Sequence, residues 1–345
     1  MNSLRKILFP FSILYGLITC IRNILFDKGT FKSYSFDLPI IAVGNLNVGG
    51  TGKTPQIEYL IRLLSDKFKI ATLSRGYKRQ SSGFILAQAN SNAATLGDEP
   101  FQFFKKFPNI QVAVGADRKN GIEQLLLQKN KPDIILLDDA FQHRKVKAGL
   151  YILLTSYKDL YVNDFILPAG NLRESSSGAK RASIIIVTKC PSSLSIEEQQ
   201  KIRNKLKLSE KQELYFTFIS YNDFIISENQ KIKVEVINKT PKVVVAGIAK
   251  PDSFFDFFDT KNDICLSFPD HHHFTDKDIL KIKNLAQNKI IIATEKDYMR
   301  LIGRLPTQQL FYLPIQSRFI ANSKNSRLNF DKTILNYVGT SSRNC

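Results

Sequence analysis

An apolar run that leads straight into a glycine-dense loop and then into a helical pattern leaves a chain few folds to adopt. Here Leu38-Pro-Ile-Ile-Ala-Val43 suits a buried parallel strand, and residues 55 to 64 carry apolar side chains at helical spacing. Between them lies Val48-Gly49-Gly50-Thr51-Gly52-Lys53-Thr54. In this order the backbone N–H groups of Gly49, Gly50, Thr51 and Gly52 can converge on phosphate oxygens, helped by the positive end of the helix. Lys53 then reaches the β- and γ-phosphates, and Thr54 offers its hydroxyl to magnesium. Pro55 falls early in the helix, where a missing N–H costs little. The common pattern GxxxxGKT would place glycine at position 47, and this chain has Asn47.

A phosphate loop of this kind needs carboxylates at the end of a second strand. Asp133-Ile-Ile-Leu-Leu-Asp138-Asp139 supplies an apolar run closed by two of them. Asp138 is the expected magnesium-side residue, and Asp139 either shares that task or orients a substrate hydroxyl. Gln142, His143 and Arg144 follow at the carboxyl end of the strand, where α/β sheets bind ligands. A third acidic pair, Asp98-Glu99, lies in Leu-Gly-Asp-Glu-Pro100. Its residues suit a general base acting on an acceptor hydroxyl, or equally an N-cap and first-turn acid of the helix that follows.

The first segment, LRKILFPFSILYGLITCIRNILF over residues 4–26, has apolar residues at helical spacing with Arg5, Lys6, Ser12, Thr19, Arg22 and Asn23 in the gaps. This predicts an amphipathic helix bent at Pro10. Its uncharged run, Ile7 to Ile21, falls short of the roughly 20 residues a bilayer core demands, and no small-residue cleavage site follows. A helix lying in a membrane surface is favoured over a spanning or cleaved one, with packing on the chain's own core as the alternative. The formal charge of +18 predicts attraction to an anionic membrane face, phosphorylated substrates or nucleic acid. No RNA-reading motif supports nucleic acid, and no obligate protein partner is evident. The four cysteines are scattered without a CxxC pair, as expected for reduced thiols.

Seven stretches in order resemble the tetraacyldisaccharide 4′-kinase family. They are Val43-Gly-Asn-Leu-Asn-Val-Gly-Gly-Thr-Gly-Lys-Thr-Pro55, Leu73-Ser-Arg-Gly-Tyr77, Gly97-Asp-Glu-Pro100, Leu137-Asp-Asp-Ala-Phe-Gln-His-Arg144, Leu167-Pro-Ala-Gly-Asn-Leu-Arg-Glu174, Phe268-Pro-Asp-His-His-His-Phe274 and Thr294-Glu-Lys-Asp297. Ala140 replaces a family glycine and Ser175 a family proline. The resemblance implies an ATP- and Mg2+-dependent kinase acting on the 4′-hydroxyl of a lipid A precursor glycolipid, at the cytoplasmic face of the bacterial inner membrane. It implies Asp98 as the base, His271 as its dyad partner, and Lys53, Thr54, Asp138 and Asp139 handling ATP and magnesium. Asn45, Arg75, Gln142, His143 and Arg173, inside or beside the matched motifs, become expected substrate contacts. Arg118, Arg144 and Lys180 are further cations, either phosphate-pairing or solvated. The triplet His271-His272-His273 lacks the further ligands that zinc would need.

Strand-like runs at Ile40, Ile70, Ile110, Ile134, Ile152 and Ile184 alternate with helical patterns, which predicts an α/β fold: a P-loop NTPase-like parallel sheet covered by helices on both faces. The expected organisation is a membrane-associated helix over 1–30, a core over 31–210, a two-stranded β hinge over 211–240 and a smaller α/β domain over 241–345. Two rivals share the phosphate loop. A GTPase should read guanine with an Asn/Thr-Lys-x-Asp loop, but Thr188-Lys189-Cys190-Pro191 has proline in place of the aspartate. A switch ATPase of the KGGxGKT kind should carry a lysine where Val48 stands.

Overall fold

The computed structural model describes residue 5 and residues 7–258, 262–270, 272–320 and 326–341. Two sheets organise the chain. The first is nine-stranded, in the order β15-β8-β7-β6-β1-β5-β2-β4-β3, built from β1 (Ile40–Asn45), β2 (Ile70–Ser74), β3 (Ile85–Leu86), β4 (Gln111–Val114), β5 (Ile134–Asp138), β6 (Leu150–Ser156), β7 (Ile184–Thr188), β8 (Glu213–Tyr221) and β15 (Ile315–Phe319). Only its outermost strands, β3 and β15, pair antiparallel. The second sheet is six-stranded, in the order β10-β9-β14-β13-β11-β12, from β9 (Phe224–Ile226), β10 (Lys231–Lys233), β11 (Lys242–Ala246), β12 (Ile264–Ser267), β13 (Ile290–Thr294) and β14 (Leu310–Leu313).

The sequence pattern explains both. Every residue of β1, β2, β5 and β7 is buried, as central strands covered on both faces must be. Alternate residues feed opposite cores. Ile41 and Val43 face the helix Lys53–Leu64, while Ile40 and Ala42 face the side of Ile122 and Leu125. In the second sheet, Val243 and Val245 point one way and Val244 and Ala246 the other. The register places Val43 beside Asp138, so the glycine loop and the paired aspartates leave the same edge of adjacent strands.

The boundaries differ from the sequence expectation in three places. The segment Glu213–Tyr221 is not half of a linker ribbon: β8 lies inside the first sheet, parallel to β7, and the ribbon is the short pair β9–β10. Val234–Ile237 is a helical turn rather than strand. The chain also returns from the second sheet, since β15 pairs with β8 and the helix Ser326–Ser341 packs Phe330, Ile334 and Val338 into the first core. An aromatic group drives that return. Phe330 lies 4.8 Å from Phe319 and 5.2 Å from Tyr215, and Tyr59 lies 5.2 Å from Phe319, centroid to centroid. The two crossings between sheets, at Asn222 and Pro314, are joined by a 2.9 Å backbone hydrogen bond.

Pro10 occupies the first turn of the helix Phe9–Asp27 rather than its interior, and the segment before it lies mostly outside the described residues. That helix is long and apolar enough to cross a membrane by length and composition, and its apolar residues Phe11, Ile13, Leu14, Leu17, Ile18 and Ile21 are exposed. Its polar side is fastened to the loops near the glycine cradle. Ser12 accepts from Ala169 N–H (2.8 Å), Tyr15 donates to Arg173 O (3.1 Å), and Arg22 donates to Gln142 O (2.9 Å).

Candidate active site

The glycine loop runs from β1 to the helix Lys53–Leu64, with Gly49 (φ 109°) and Gly52 (φ 81°) in the left-handed region that side chains avoid. Asn47 earns its departure from glycine. It is buried, its Nδ2 donates to Asp164 Oδ2 (3.2 Å), and Val48 N–H donates to Asn171 O (2.7 Å), so the loop's entry is pinned to the 164–172 segment. On the other side Thr188 Oγ1 donates to Thr51 O (2.7 Å) and Lys189 Nζ to Gly50 O (2.6 Å). The Thr188–Pro191 stretch therefore braces the cradle, while Pro191 has no side-chain acceptor with which to read a guanine.

Gly44 lets the aspartate loop come close: a Cβ there would sit 2.7 Å from Phe141 Cβ and 2.9 Å from its backbone nitrogen. The left-handed residue in that loop is Asp139 (φ 48°), not Ala140, so the exchange of glycine for alanine at 140 meets no backbone penalty. Ser175, replacing proline, caps the following turn through Ser177 N–H.

Asp139 sits between two cations. Both its oxygens lie 2.9 Å from Arg173 NH1, and Lys53 Nζ is 3.5 Å from Oδ1. Burial works to raise its carboxyl, but Lys53 and Arg173 outweigh this and hold it below the usual range. Asp138 is the opposite case. Burial, reinforced by Glu99, pushes it up to about 7. Ser74 donates to Asp138 Oδ2 (3.3 Å), and Oδ1 has no partner among the described residues. Such a buried, unsatisfied carboxylate oxygen, at the end of the strand paired with the one that leads into the glycine loop, fits a hard cation bound through oxygen.

Asn45 accepts from Lys53 Nζ (3.3 Å) and donates to Asn47 O (2.7 Å). Gln142 Nε2 reaches Asn45 O and Glu174 Oε1, both at 3.0 Å. Asn45, Lys53, Asp139, Gln142 and Arg173 thus form one connected group. Arg75 is exposed at the end of β2 and stands outside this hydrogen-bonded group. His143 turns toward Arg118, and burial together with that guanidinium lowers it to about 4, so it is neutral at physiological pH. Arg118 is buried and holds the carbonyls of Gly115 and Asp138, a structural post rather than a solvated charge. Arg144 joins the N-terminal helix at Asn23 O and Asp27.

Asp98 and Glu99 are first-turn acids of the helix Asp98–Lys106, as the structural alternative expected, but the N-cap position belongs to Gly97, and both Asp98 oxygens engage Arg300. Its neighbour Glu99 is half-buried; burial raises its carboxyl against the fields of Lys53 and Lys296. His271 lies outside the described residues. His272 faces Asp278 (3.0 Å) and stacks on Phe268, centroids 4.9 Å apart, inside the second sheet's own packing. Glu174, Lys189 and Arg300 went unassigned in the sequence reading: Glu174 lay in a matched motif as an ordinary acid, and Arg300 lay one helical turn past Asp297.

A parallel sheet delivering a glycine cradle, a lysine and paired aspartates to one edge defines a P-loop phosphotransferase. The family profile described as tetraacyldisaccharide-1-P 4′-kinase matches residues 4–334, and the chain belongs to that family. It is 64% identical over 346 residues to the tetraacyldisaccharide 4′-kinase of Flavobacterium psychrophilum, covering 100% of both chains. It is 43% identical over 364 residues to that of Bacteroides fragilis, covering 99% of this chain and 96% of the other. A crystal structure of LpxK from Aquifex aeolicus in complex with ATP superposes with a TM-score of 0.79 at 30% identity, covering 97% of this chain and 100% of that one.

Proposed function

We propose that the chain transfers the γ-phosphate of ATP to the 4′-hydroxyl of a tetraacyldisaccharide 1-phosphate, completing the bisphosphorylated lipid A precursor. The observation that carries this reading is the Lys53-Asp139-Arg173 cluster at the mouth of the glycine loop, in a chain 64% identical over its whole length to a curated kinase of this name. The loop N–H groups and Lys53 cradle the β- and γ-phosphates. Thr54, Asp138 and Asp139 would hold magnesium, which when bound neutralises charge on those phosphates. Asp98 accepts the proton of the 4′-hydroxyl as the 4′-oxygen of the glycolipid bonds to the γ-phosphorus, and the bond from that phosphorus to the β,γ-bridging oxygen breaks, leaving ADP. His271 supports Asp98. Gln142, His143, Arg75 and Arg173 line the approach of the acceptor, whose 1-phosphate suits the arginines.

The apolar outer side of the helix Phe9–Asp27, beside Arg173 and Gln142, supports a peripheral seat on the cytoplasmic face of the inner membrane, where a glycolipid with four acyl chains resides. The two chain crossings at Asn222 and Pro314 support a hinge between the sheets. Purified protein incubated with [γ-32P]ATP, Mg2+ and tetraacyldisaccharide 1-phosphate should give labelled lipid. ATP hydrolysis without label on the lipid would overturn the kinase reading in favour of a switch.

A further inference from the structure

The Thr294-Glu-Lys-Asp297 motif sits on the second sheet, and the reaction as drawn gives it no task. Its helix, Glu295–Leu301, ends close to Arg300. Arg300 Nε donates to Asp98 Oδ1 (3.1 Å) and NH2 to Asp98 Oδ2, a fork spanning both oxygens of the carboxylate from the opposite sheet. The Arg300 side chain is 9% exposed, so this pair is not a solvated surface contact.

The fork is itself fixed. Arg300 NH1 lies 3.6 Å from Asp297 Oδ1 and donates to His272 O (3.3 Å). Asp297 is fully buried and accepts from Gly247 N–H (2.7 Å) and Thr294 Oγ1 (2.6 Å). Gly247 permits that approach, since a Cβ there would sit 2.9 Å from Asp297 Oδ1. Leu96 and Phe101, flanking Asp98 in sequence, pack in one apolar cluster with Tyr298 and Met299, which lowers the water content around the pair, Asp98 keeping 23% of its side chain exposed. One guanidinium thus ties Asp98 to the 268–274 stretch that carries His271.

We infer that Arg300 is the positioning residue for Asp98, holding its carboxylate from the second sheet in the orientation that proton abstraction requires, with Asp297 as the anchor of the fork. The inference rests on the proposed role of Asp98 as base. It makes the base complete only when the two sheets are together, and it gives the motif its task.

The test is a cycle of Asp98→Asn, Arg300→Ala and the double variant, with kcat and KM measured for ATP and for the glycolipid. Arg300→Ala should lower kcat about 100-fold, the lower end for losing a positioned proton acceptor, with the KM for ATP within about threefold of wild type. Arg300→Lys, keeping the charge without the fork, should recover only part of that, and ethylguanidinium added to Arg300→Ala should restore turnover. The double variant should be no slower than Asp98→Asn. Wild-type kcat in Arg300→Ala, or a double variant slower than Asp98→Asn by the full Arg300 factor, overturns the inference. Wild-type turnover in Asp98→Asn refutes the base assignment instead. If Arg300→Ala does not fold, Arg300→Lys takes its place in the same cycle.

Discussion

Asn47 shows how a single side chain can replace a missing glycine. The common loop leaves position 47 bare, whereas here an amide buried at that point reaches Asp164 Oδ2, which also accepts from Asn171 Nδ2 (3.0 Å). Restoring the common residue with Asn47→Gly removes a hydrogen bond to a carboxylate, worth about 1.5–3 kcal/mol, and frees the backbone. Urea melts should show a loss of about 2 kcal/mol or more, and the KM for ATP should rise several-fold as the cradle loosens. Unchanged stability would mean that the glycines alone shape the loop. The placement of the cradle was legible because the glycines, Lys53 and Thr54 fall at fixed spacing between a strand and a helix, and Asp138 closes a second apolar strand. The proposed role of Asp98 as base comes from the resemblance alone, since an acid at a helix start has a cheaper explanation in the sequence. Arg300 was not legible at all. Its partner is 202 residues away, and no periodicity encodes that pairing.

At the scale of elements, apolar runs revealed the strands because central parallel strands are buried on both faces. Partners of edge strands were hidden. Leu-Tyr-Phe-Thr-Phe-Ile-Ser reads equally as hairpin arm or sheet strand, and only β15, returning about a hundred residues later under the aromatic group of Tyr215, Phe319 and Phe330, decides it. The helix Phe9–Asp27 makes a separate claim. Leu17 and Ile18 are 56% and 57% exposed on a helix whose polar side is committed to Ala169, Arg173, Gln142 and Glu174. Leu17→Asp with Ile18→Asp replaces two apolar contacts with charge and leaves the polar fastenings intact. Binding to vesicles containing anionic lipid should fall at least about tenfold, since burying each such side chain is worth about 1.5–3 kcal/mol. The thermal midpoint should not move. Vesicle binding equal to wild type would show that the apolar side faces something other than lipid.

The whole molecule is joined at a buried polar seam as well as at the two chain crossings. Lys106, from the helix Asp98–Lys106, contacts Glu58 on the phosphate-loop helix (2.7 Å) and Glu295 on the second sheet's helix, and Gln102 donates to Glu58 (2.9 Å). Two carboxylates share one ammonium, and burial, followed by the field of Glu58, pushes Glu295 up to about 7. In the unfolded chain a glutamate titrates near 4.3, so between those values the folded protein binds more protons than the unfolded one. The contribution of Glu295 to stability therefore falls as pH rises from about 4.3 to about 7 and levels off above, the reverse of a salt-bridged carboxylate with a lowered value. Glu295→Gln abolishes this group's titration while keeping a side chain able to bond Lys106. Thermal melts at pH 5, 6.5 and 8 should show the variant gaining on wild type by several degrees as pH rises, with most of the change complete by pH 8. A difference in midpoint that is the same at all three values would mean that Glu295 is already ionised at pH 5, held by Lys106 against its burial. The seam would then be a permanent ion pair, and its contribution to keeping the two sheets together would not depend on pH.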